Sequence, residues 1–522
     1  MQRSEKTAET LMGDRSEGVL KRFSSCLADS PNAVIALFGA YFLLQIIIRQ
    51  LVPAALRVDE AQQVLFAQWL ALGYDAQPPL YNWYQQAIFT VFGTSMATVA
   101  LAKNLILFLF FAVYVKIAEL VLDNRRFVVV AAFTLFVIPQ MFWQAQRDLT
   151  HTAMLMLTFA LLLYGSIRLI QRPTLMGYIL VGVAAGLGML SKYNFALALP
   201  ALLVAVWFHP QGRARLLDKR FMLTIAISVL VFLPHLFWLV HNLAFASEVT
   251  LQRMAEDAPD NRFLQVGRGL ARFVAGSLII AAVPALLLGL SAWREQKLPR
   301  KTQSVWFRFF LHYFIAIAVL MAIVILTTTM TELRDRWLLP LLLPGPILAA
   351  LYLERYVADL DRFVSRFLTI PLIMMALVPV ALLVTHPLMA SLGRTSNSNY
   401  DWEAFQRHIV EIEKLSPSVI VTPNWPTGGN LRFVFKDVPV ATTIYDDYDP
   451  PFAISESHPA LMVWVGNDLE VPQLSEWLEE QMKVELKDVK SSRLDLPMYY
   501  PVENKLMRVN YTIVRPDNII RK

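Results

Sequence analysis

The chain has 522 residues, of which 56% are hydrophobic and only 17% are charged, and its formal net charge is +6. Soluble proteins carry about 25% charged residues, so this composition excludes an ordinary soluble protein and favours an integral membrane protein. The basic residues punctuate apolar segments instead of covering one soluble face, which argues against a nucleic-acid partner, and the single cysteine, Cys26, excludes an intrachain disulfide.

The apolar segments predict a polytopic α-helical membrane domain over residues 33–390. Its first segment, 33–51, is long enough to cross a bilayer, which takes roughly 20 mostly apolar residues. About 30 polar residues precede it, more than precede the apolar part of a cleavable signal peptide, so it is interpreted as a signal anchor behind an N-terminal segment, 1–32. The sequence predicts about eleven transmembrane helices, at 33–51, 97–121, 127–146, 149–169, 175–190, 194–208, 221–241, 270–291, 306–327, 337–353 and 367–387.

Lysine and arginine concentrate in alternate connections between these predicted helices. The positive-inside rule assigns the more basic side to the cytoplasm. That side holds the N-terminal segment and five loops, with Lys21, Arg22, Arg125, Arg126, Arg168, Arg172, Arg213, Arg215, Lys219, Arg220, Arg294, Lys297, Arg300, Lys301, Arg355, Arg362 and Arg366. The outer side then receives the first loop, 52–96, and the chain after the last helix.

Residues 396–522 are predicted to form a small α/β domain on the outer side. The stretch "SVIVTPNWPTGGNLRFVFKDVPVATT" reads as a strand, a glycine-rich turn and a second strand. "ALMVWVG" is a third strand candidate, and "VPQLSEWLEEQMKVEL" has the pattern of an amphipathic helix. With roughly 125 residues, this domain is long enough to bury a core of its own.

Two adjacent carboxylates, Asp59 and Glu60, stand just after the first apolar segment in "RVDEAQQVLFAQWLALGYDAQPPLYNWYQQ". The pattern predicts a helix from residue 59 to 73. One reading is that the carboxylates cap this helix, since acidic residues suit a helix N-terminus. The other is that the helix lies in the membrane interface, where a partly desolvated carboxylate suits a general base.

A second acidic position, Asp148, lies in "QAQRDLTHTAML", in a short turn on the same predicted side. It is interpreted either as a helix cap, as a partner of Arg147, or as a second acid of an active site. His151 shares a helical face with Asp148, so the two are also weak candidates for a divalent metal site.

Several basic residues stand on the outer side against the positive-inside rule: Arg57, Arg147, Lys192, Arg334 and Arg336. Charges near membrane depth are costly and are usually paired or functional. Lys192 in "GMLSKYNFAL" also fits a snorkelling lysine, and Arg336 in "RDRWLLPLLLPG" fits an interfacial anchor beside Trp337. Acids that activate a hydroxyl and bases that hold a phosphate together predict an enzyme acting on a lipid phosphate at the membrane surface.

The acidic pair followed by a Pro-Pro-Leu turn, "DEAQQVLFAQWLALGYDAQPPLYNW", resembles the polyprenyl-phosphate-sugar glycosyltransferases with the GT-C fold. Protein O-mannosyltransferases and lipid A aminoarabinose transferases belong to this superfamily. The motif is particularly similar to the branch with rhizobial lipopolysaccharide galacturonosyltransferases. The segments "RDLTHTAML", "LSKYNFAL" and "RWLLPLLLPG" follow in the expected order, so the resemblance covers about residues 30–390.

The resemblance implies catalytic positions at Asp59, with Glu60 beside it, and at Asp148. In relatives, Lys or His often precedes Pro-Pro-Leu, whereas this chain has Gln77, so the donor phosphate would depend on other residues. The candidates for binding donor phosphate or substrate are Lys192, Tyr193, Arg336, Arg57, Arg147 and Gln77.

The sequence thus predicts an inverting glycosyltransferase of the bacterial inner membrane, with a periplasmic active site. The donor would be a sugar on a polyprenyl phosphate, and the acceptor an envelope glycolipid, either lipid A or lipopolysaccharide core. The sequence identifies no cofactor with certainty, and a divalent metal remains open. The alternatives are a protein O-glycosyltransferase, a noncatalytic scaffold, and a flippase or transporter. Against a transporter, the ionisable residues gather at one face, and Lys103, Lys116 and Glu119 lie toward the ends of the second helix.

The alternation of basic residues places the N-terminus in the cytoplasm and Lys522 in the periplasm. We expect a C-terminal alkaline phosphatase fusion to be active and a C-terminal fluorescent protein that matures only in the cytoplasm to stay dark. The opposite pair of results would contradict the topology.

Overall fold

A computed structural model describes residues 27–255, 258–293, 295, 304–445, 448–468 and 471–521. The N-terminal segment with Lys21, Arg22 and Cys26 therefore lies mostly outside the described residues, as does the basic loop around Lys297. The chain forms two compact units. The bundle unit comprises the described parts of Met1–Leu43, Ala76–Leu80 and Asn104–Val378, and the mixed unit those of Leu44–Asp75, Tyr81–Lys103 and Pro379–Lys522.

Helices dominate the described chain as far as residue 391. They are α1 (Pro31–Gln50), α2 (Val58–Phe66), α3 (Leu80–Phe92), α4 (Met96–Val121), α5 (Arg125–Phe136), α6 (Gln140–Arg147), α7 (Thr150–Gln171), α8 (Leu175–Ser191), α9 (Phe195–Phe208), α10 (Gly212–Leu216), α11 (Phe221–His241), α12 (Leu243–Met254), α13 (Arg262–Ala292), α14 (Val305–Thr327), α15 (Asp335–Leu342), α16 (Gly345–Tyr356) and α17 (Leu360–Ser391).

All eleven predicted membrane segments coincide with apolar helices. Within the described residues, seven single helices are long and apolar enough to cross a bilayer, and two bent pairs, α5–α6 and α15–α16, raise that number to nine. The two remaining segments, α8 and α9, are shorter apolar helices. The prediction of a multi-pass helical membrane protein is confirmed.

The boundaries depart from the prediction where proline or an added turn intervenes. The third predicted segment is broken after α5 and bends by 68°, because Pro139 interrupts the helix and a π-helical turn follows it. The tenth is bent by 47° between α15 and α16. The eighth was predicted from residue 270, but α13 already begins at Arg262, where the Asn261 side chain accepts hydrogen bonds from the first backbone N–H groups.

In the first loop, the prediction of one helix over 59–73 was wrong in length. Helix α2 ends at Phe66, and its last carbonyl groups accept a hydrogen bond from the Gln68 side chain, whose Nε2 lies 3.0 Å from the Leu65 oxygen. Gln68 also pairs with the backbone of Val440 at 3.0 Å, which holds it outside the helix. The 13-residue helix α3, which begins at the leucine of the Pro-Pro-Leu turn, was not predicted.

The C-terminal region is the predicted α/β domain, with more strands than the sequence indicated. After helix α18 (Trp402–Arg407) come β1 (Val419–Thr422), α19 (Trp425–Val434), β2 (Val440–Thr442), β3 (Ala460–Val465), α20 (Pro472–Met482), β4 (Val484–Leu486), β5 (Ser491–Val502), β6 (Lys505–Val514) and β7 (Ile519–Arg521). The main sheet has the order β2-β1-β3-β6-β5; β1 is parallel to β2 and β3, and β6 is antiparallel to both of its neighbours.

The glycine-rich stretch predicted as a turn is instead the helix α19. Asn424 caps it by accepting the Thr427 N–H at 3.0 Å, and Pro426 occupies the first turn, where proline is tolerated. The glycines at 428 and 429 therefore lie inside a helix, which normally disfavours them.

Strands β1, β2 and β3 of the sheet are covered on both faces, whereas β5 is exposed along much of its length. One face packs Leu474 and Leu478 of α20 against Met462 of β3. The opposite face packs α18 and α19, and its cluster includes Ala55 and Leu65 of the first loop. The first loop and the C-terminal domain thus share one hydrophobic core in the mixed unit.

Candidate active site

The first loop is fixed by a buried cluster of charges around Glu60. The Arg49 guanidinium, at the end of α1, donates to both oxygens of the Glu60 carboxylate, with Nη2 at 2.8 Å and Nε at 3.3 Å. The Lys103 ammonium lies 3.8 Å from the other side of the same carboxylate. Arg49 also binds the carbonyl groups of Pro53 and Ala55, at 3.0 and 3.1 Å, and so orders the connection between α1 and α2.

Glu60 is 3% exposed. Burial acts to raise the pKa of its carboxyl, but the positive charges of Arg49, Lys103 and Arg57 more than offset this and hold the pKa well below its usual range. The carboxylate also accepts the backbone N–H of Arg57 at 3.1 Å, as the third residue of a capped helix does. The capping interpretation therefore fits Glu60.

Asp59 has a different environment from its neighbour. It lies in the first turn of α2 and is half-buried, whereas Glu60 is buried. Tyr81 of α3 is close to both acids. Burial raises the pKa of the Tyr81 phenol, and the neighbouring Tyr84 and the charges of Glu60 and Asp59 raise it further, so the phenol stays protonated at neutral pH.

In the bundle unit, Asp148 sits in a strained turn between α6 and α7. Its own backbone is extended, and the following residue, Leu149, has a φ of 74° in the left-handed region. A branched residue rarely adopts that conformation, which costs of order 1–2 kcal/mol and is typical of functional segments. Asp148 is half-buried, Arg147 is exposed, and His151 is buried.

The other predicted outer segments of the bundle unit bind one another. Lys192 donates to the Thr152 hydroxyl, in the first turn of α7, at 2.9 Å. The Asn194 amide donates to the carbonyl of Trp337, the residue after Arg336, at 2.9 Å. At the start of α15, Asp335 accepts from the Gln140 side chain of α6 at 2.8 Å. The three motifs around Asp148, Lys192 and Arg336 are therefore brought together within this unit.

A buried histidine adjoins this cluster. The Tyr193 hydroxyl and the His235 Nε2 lie 3.2 Å apart, and the His235 ring stacks on Trp238 with centroids 5.4 Å apart. His235 is 0% exposed inside α11. It was not identified from the sequence, although a histidine in an apolar helix is unusual and marks a functional candidate.

The remaining candidates lie near the starts of three helices. Arg57 is half-buried at the N-cap of α2, Arg336 is half-buried in the first turn of α15, and Gln77 is half-buried before α3. Within the described residues, no group of three or more His, Cys, Asp and Glu side chains could hold a metal ion. Asp148 and His151 therefore lack the three protein ligands of a typical catalytic metal site, and no step is assigned to a metal.

The chain is related over its length to characterised enzymes. It is 32% identical over 487 residues to the lipopolysaccharide core galacturonosyltransferase RgtA of Rhizobium johnstonii, which covers 92% of this chain and 97% of the relative. The same organism's RgtB, of the same description, is 30% identical over the same share. The chain belongs to this galacturonosyltransferase family. It is accordingly a membrane glycosyltransferase, and the resemblance drawn from its motifs is confirmed.

Two further comparisons agree with this galacturonosyltransferase assignment. The family model for dolichyl-phosphate-mannose-protein mannosyltransferase matches residues 76–238. The crystal structure of ArnT from Cupriavidus metallidurans bound to undecaprenyl phosphate has a TM-score of 0.57 at 14% identity, and covers 92% of this chain and 98% of ArnT. The predicted GT-C fold is thereby confirmed. The lipid A galacturonosyltransferase RgtD of R. johnstonii is 24% identical over 78% of this chain.

Glu60→Gln should destabilise this galacturonosyltransferase family member, because it leaves Arg49 and Lys103 facing an uncharged amide in a buried site. Breaking a buried ion pair costs about 3–5 kcal/mol. The difference from wild type should shrink as the pH falls below about 4.3, the ordinary glutamate value, since only the charged form is stabilised. Thermal unfolding of the purified protein in detergent measures both effects.

The matched control is Glu119→Gln, which removes the same charge from a partly exposed pair with Lys116 at 2.8 Å. Such a surface pair contributes about 1 kcal/mol or less. Equal, small shifts of the unfolding temperature in both variants would contradict the structural role of Glu60.

Proposed function

We propose that the protein transfers a galacturonosyl residue from a polyprenyl-phosphate donor to the core of lipopolysaccharide. The observation that carries this proposal is the full-length relationship to two enzymes described as lipopolysaccharide core galacturonosyltransferases. Undecaprenyl phosphate bound to ArnT supports a lipid-linked donor, because the two chains share a fold. The core is favoured over lipid A as acceptor, since the relative described as acting on lipid A is less similar.

The proposed site faces the periplasm from the inner membrane. The basic loops would lie in the cytoplasm, and the first loop and the C-terminal domain in the periplasm. The donor sugar then comes from a lipid carrier already on the outer side, so no nucleotide-sugar-binding domain is required.

In the proposed reaction, Asp59 is the general base. It takes the proton of the acceptor hydroxyl while the hydroxyl oxygen attacks the anomeric carbon of the donor. The bond between that carbon and the phosphate oxygen breaks, and its electron pair leaves with the polyprenyl phosphate. Attack opposite to the leaving group inverts the anomeric configuration. Glu60, buried and fully engaged with positive charges, holds the helix that carries Asp59 and does not itself exchange a proton.

The departing phosphate needs positive charge, and Arg336 and Lys192 are proposed to supply it. Both belong to the hydrogen-bonded cluster of the bundle unit, where Lys192 is held by Thr152. Asp148 remains the candidate for the second catalytic acid, and Tyr193, Arg147, Arg57 and Gln77 remain candidates for binding substrate. Asp335 is not proposed to contact the phosphate. Its side chain accepts a hydrogen bond from the Arg336 backbone N–H at 2.8 Å and so stabilises the turn that carries Arg336.

Asp59→Asn should lose about 10²–10⁴ in turnover, because the amide has the shape of the carboxylate but cannot take a proton. The assay uses purified protein, polyprenyl-phosphate-linked galacturonic acid and lipopolysaccharide core lacking galacturonic acid, with the product measured by mass spectrometry. Donor binding should be retained. Wild-type protein that transfers the sugar only to lipid A, or only to a peptide, would contradict the proposed acceptor.

If Asp59 served only as a helix cap, asparagine would replace it with little loss, since it caps nearly as well. Near-normal transfer by a folded Asp59→Asn variant would therefore remove Asp59 from catalysis.

Arg336→Ala should weaken use of the lipid donor by about tenfold or more, since a charge-assisted contact to phosphate contributes roughly 1.5–3 kcal/mol. Arg272→Ala is the control, because Arg272 forms a partly exposed pair with Glu332 at 3.2 Å and removal of that pair should change little. Equal kinetics of the two folded variants would exclude Arg336 from the donor site.

A further inference from the structure

We propose that helix α19 of the C-terminal domain positions the Asp59 helix, and that Gly429 and Asn430 are the positioning residues. This inference rests on the proposed role of Asp59 as the base. It assigns to the C-terminal domain a part in the reaction, although none of its residues is required to touch the substrate.

The closest approach between the two helices is at Gly429. A Cβ atom placed on Gly429 would lie 2.0 Å from the carbonyl oxygen of Ala61, and 2.4 and 2.5 Å from its carbonyl carbon and Cα. These are backbone atoms of α2, two residues after Asp59, and they cannot rotate out of the way. Only glycine at 429 allows α19 to lie this close to α2.

Asn430 holds the chain just before helix α2. Its side-chain oxygen accepts the Leu56 backbone N–H at 2.7 Å, and its amide donates to the Pro426 carbonyl of its own helix at 2.7 Å. Leu56 and Asn430 are both buried, so the hydrogen bond is not exchanged with water. Asn430 therefore fixes the chain three residues before Asp59.

A second attachment lies at the other end of α2. The Gln68 amide binds both backbone groups of Val440 in β2, at 2.9 and 3.0 Å. The Gln62 side chain donates to the Tyr445 hydroxyl at 3.1 Å, and the Phe66 and Tyr445 rings have centroids 4.8 Å apart. The helix is thus held by the C-terminal domain before its first turn, along its side and after its last turn.

Such support is needed because α2 has only nine residues. Isolated helices shorter than about 12–15 residues are marginal in water, so α2 takes its position from its neighbours. A base displaced by about 1 Å can lose about 10²-fold in rate, because proton transfer requires close geometry. The contact that sets the distance between α19 and α2 therefore also sets the place of the Asp59 carboxylate.

The test compares Gly429→Ala with Gly428→Ala in the full-length protein. Both changes replace a helical glycine by alanine and favour α19 itself to the same degree. A Cβ on Gly428 would meet the methyl groups of Thr442, Thr422 and Leu65 at 3.0–3.3 Å, which are tight side-chain contacts but leave the α2 backbone clear. We expect Gly429→Ala to lower kcat by about tenfold to a hundredfold at unchanged donor KM, and Gly428→Ala to lower it clearly less.

Hydrogen–deuterium exchange supplies a readout independent of activity. The amides of residues 56–66 should exchange faster in Gly429→Ala than in Gly428→Ala, while those of β3 stay protected. Leu474→Ala is a further control, since Leu474 packs on the opposite face of the sheet. It should lower the thermal stability of the domain without lowering kcat per folded molecule. Equal kcat values for both glycine variants, or a loss of kcat in Leu474→Ala of the same size as in Gly429→Ala, would overturn the proposal.

If Gly429→Ala does not fold, Asn430→Ala tests the attachment of the chain just before α2 and should lower kcat at unchanged donor KM, because the Leu56 N–H loses its acceptor. An unchanged kcat in a folded Asn430→Ala variant would then overturn the proposal. Failure of Asp59→Asn to lose activity would overturn the base assignment and, with it, the positioning role. An inactive Asp59→Asn beside a fully active Gly429→Ala would overturn the positioning role alone.

Discussion

The structure of the first loop depends on one buried carboxylate held between two positive charges. Withdrawing a charged group from water costs several kcal/mol, and this cost is offset only when the partners are close and well oriented. Glu60 meets the condition through Arg49 at the end of α1 and Lys103 near the start of α4. The first turn of α2 is therefore attached to two membrane helices, and Asp59, the residue just before Glu60, is held in a fixed place.

The membrane helices could be predicted because hydropathy is a local property of the sequence. The breaks within them could not be located, since they involve contacts between segments far apart in the sequence, as when the Gln140 side chain at the break after α5 donates to the Asp335 side chain at the start of α15. The two glycines of α19 were misread as a turn for a related reason. Glycine is unfavourable inside a helix, and the approach of Ala61, far away in the sequence, explains the presence of Gly429.

The sequence predicted which residue types form the candidate site, but not which of these residues contact one another. Asp59 and Glu60 are equivalent in the sequence, and burial distinguishes them: Glu60 is buried between Arg49 and Lys103, whereas Asp59 is half-buried. The motifs around Asp148, Lys192 and Arg336 are each weak because each is only part of a hydrogen-bonded cluster. His235 joins that cluster from a helix in which no motif was recognised.

The pairing of Gln68 with Val440 also bears on the tendency of the chain to aggregate. Strand β2 forms one edge of the five-stranded sheet, and an open edge is a template for a strand from another molecule. The Gln68 side chain forms hydrogen bonds with both the N–H and the carbonyl of Val440, which face away from β1. The Tyr445 N–H donates to the carbonyl of Thr442. A segment from the first loop thus seals the edge that a domain made of residues 396–522 alone would leave open to aggregation.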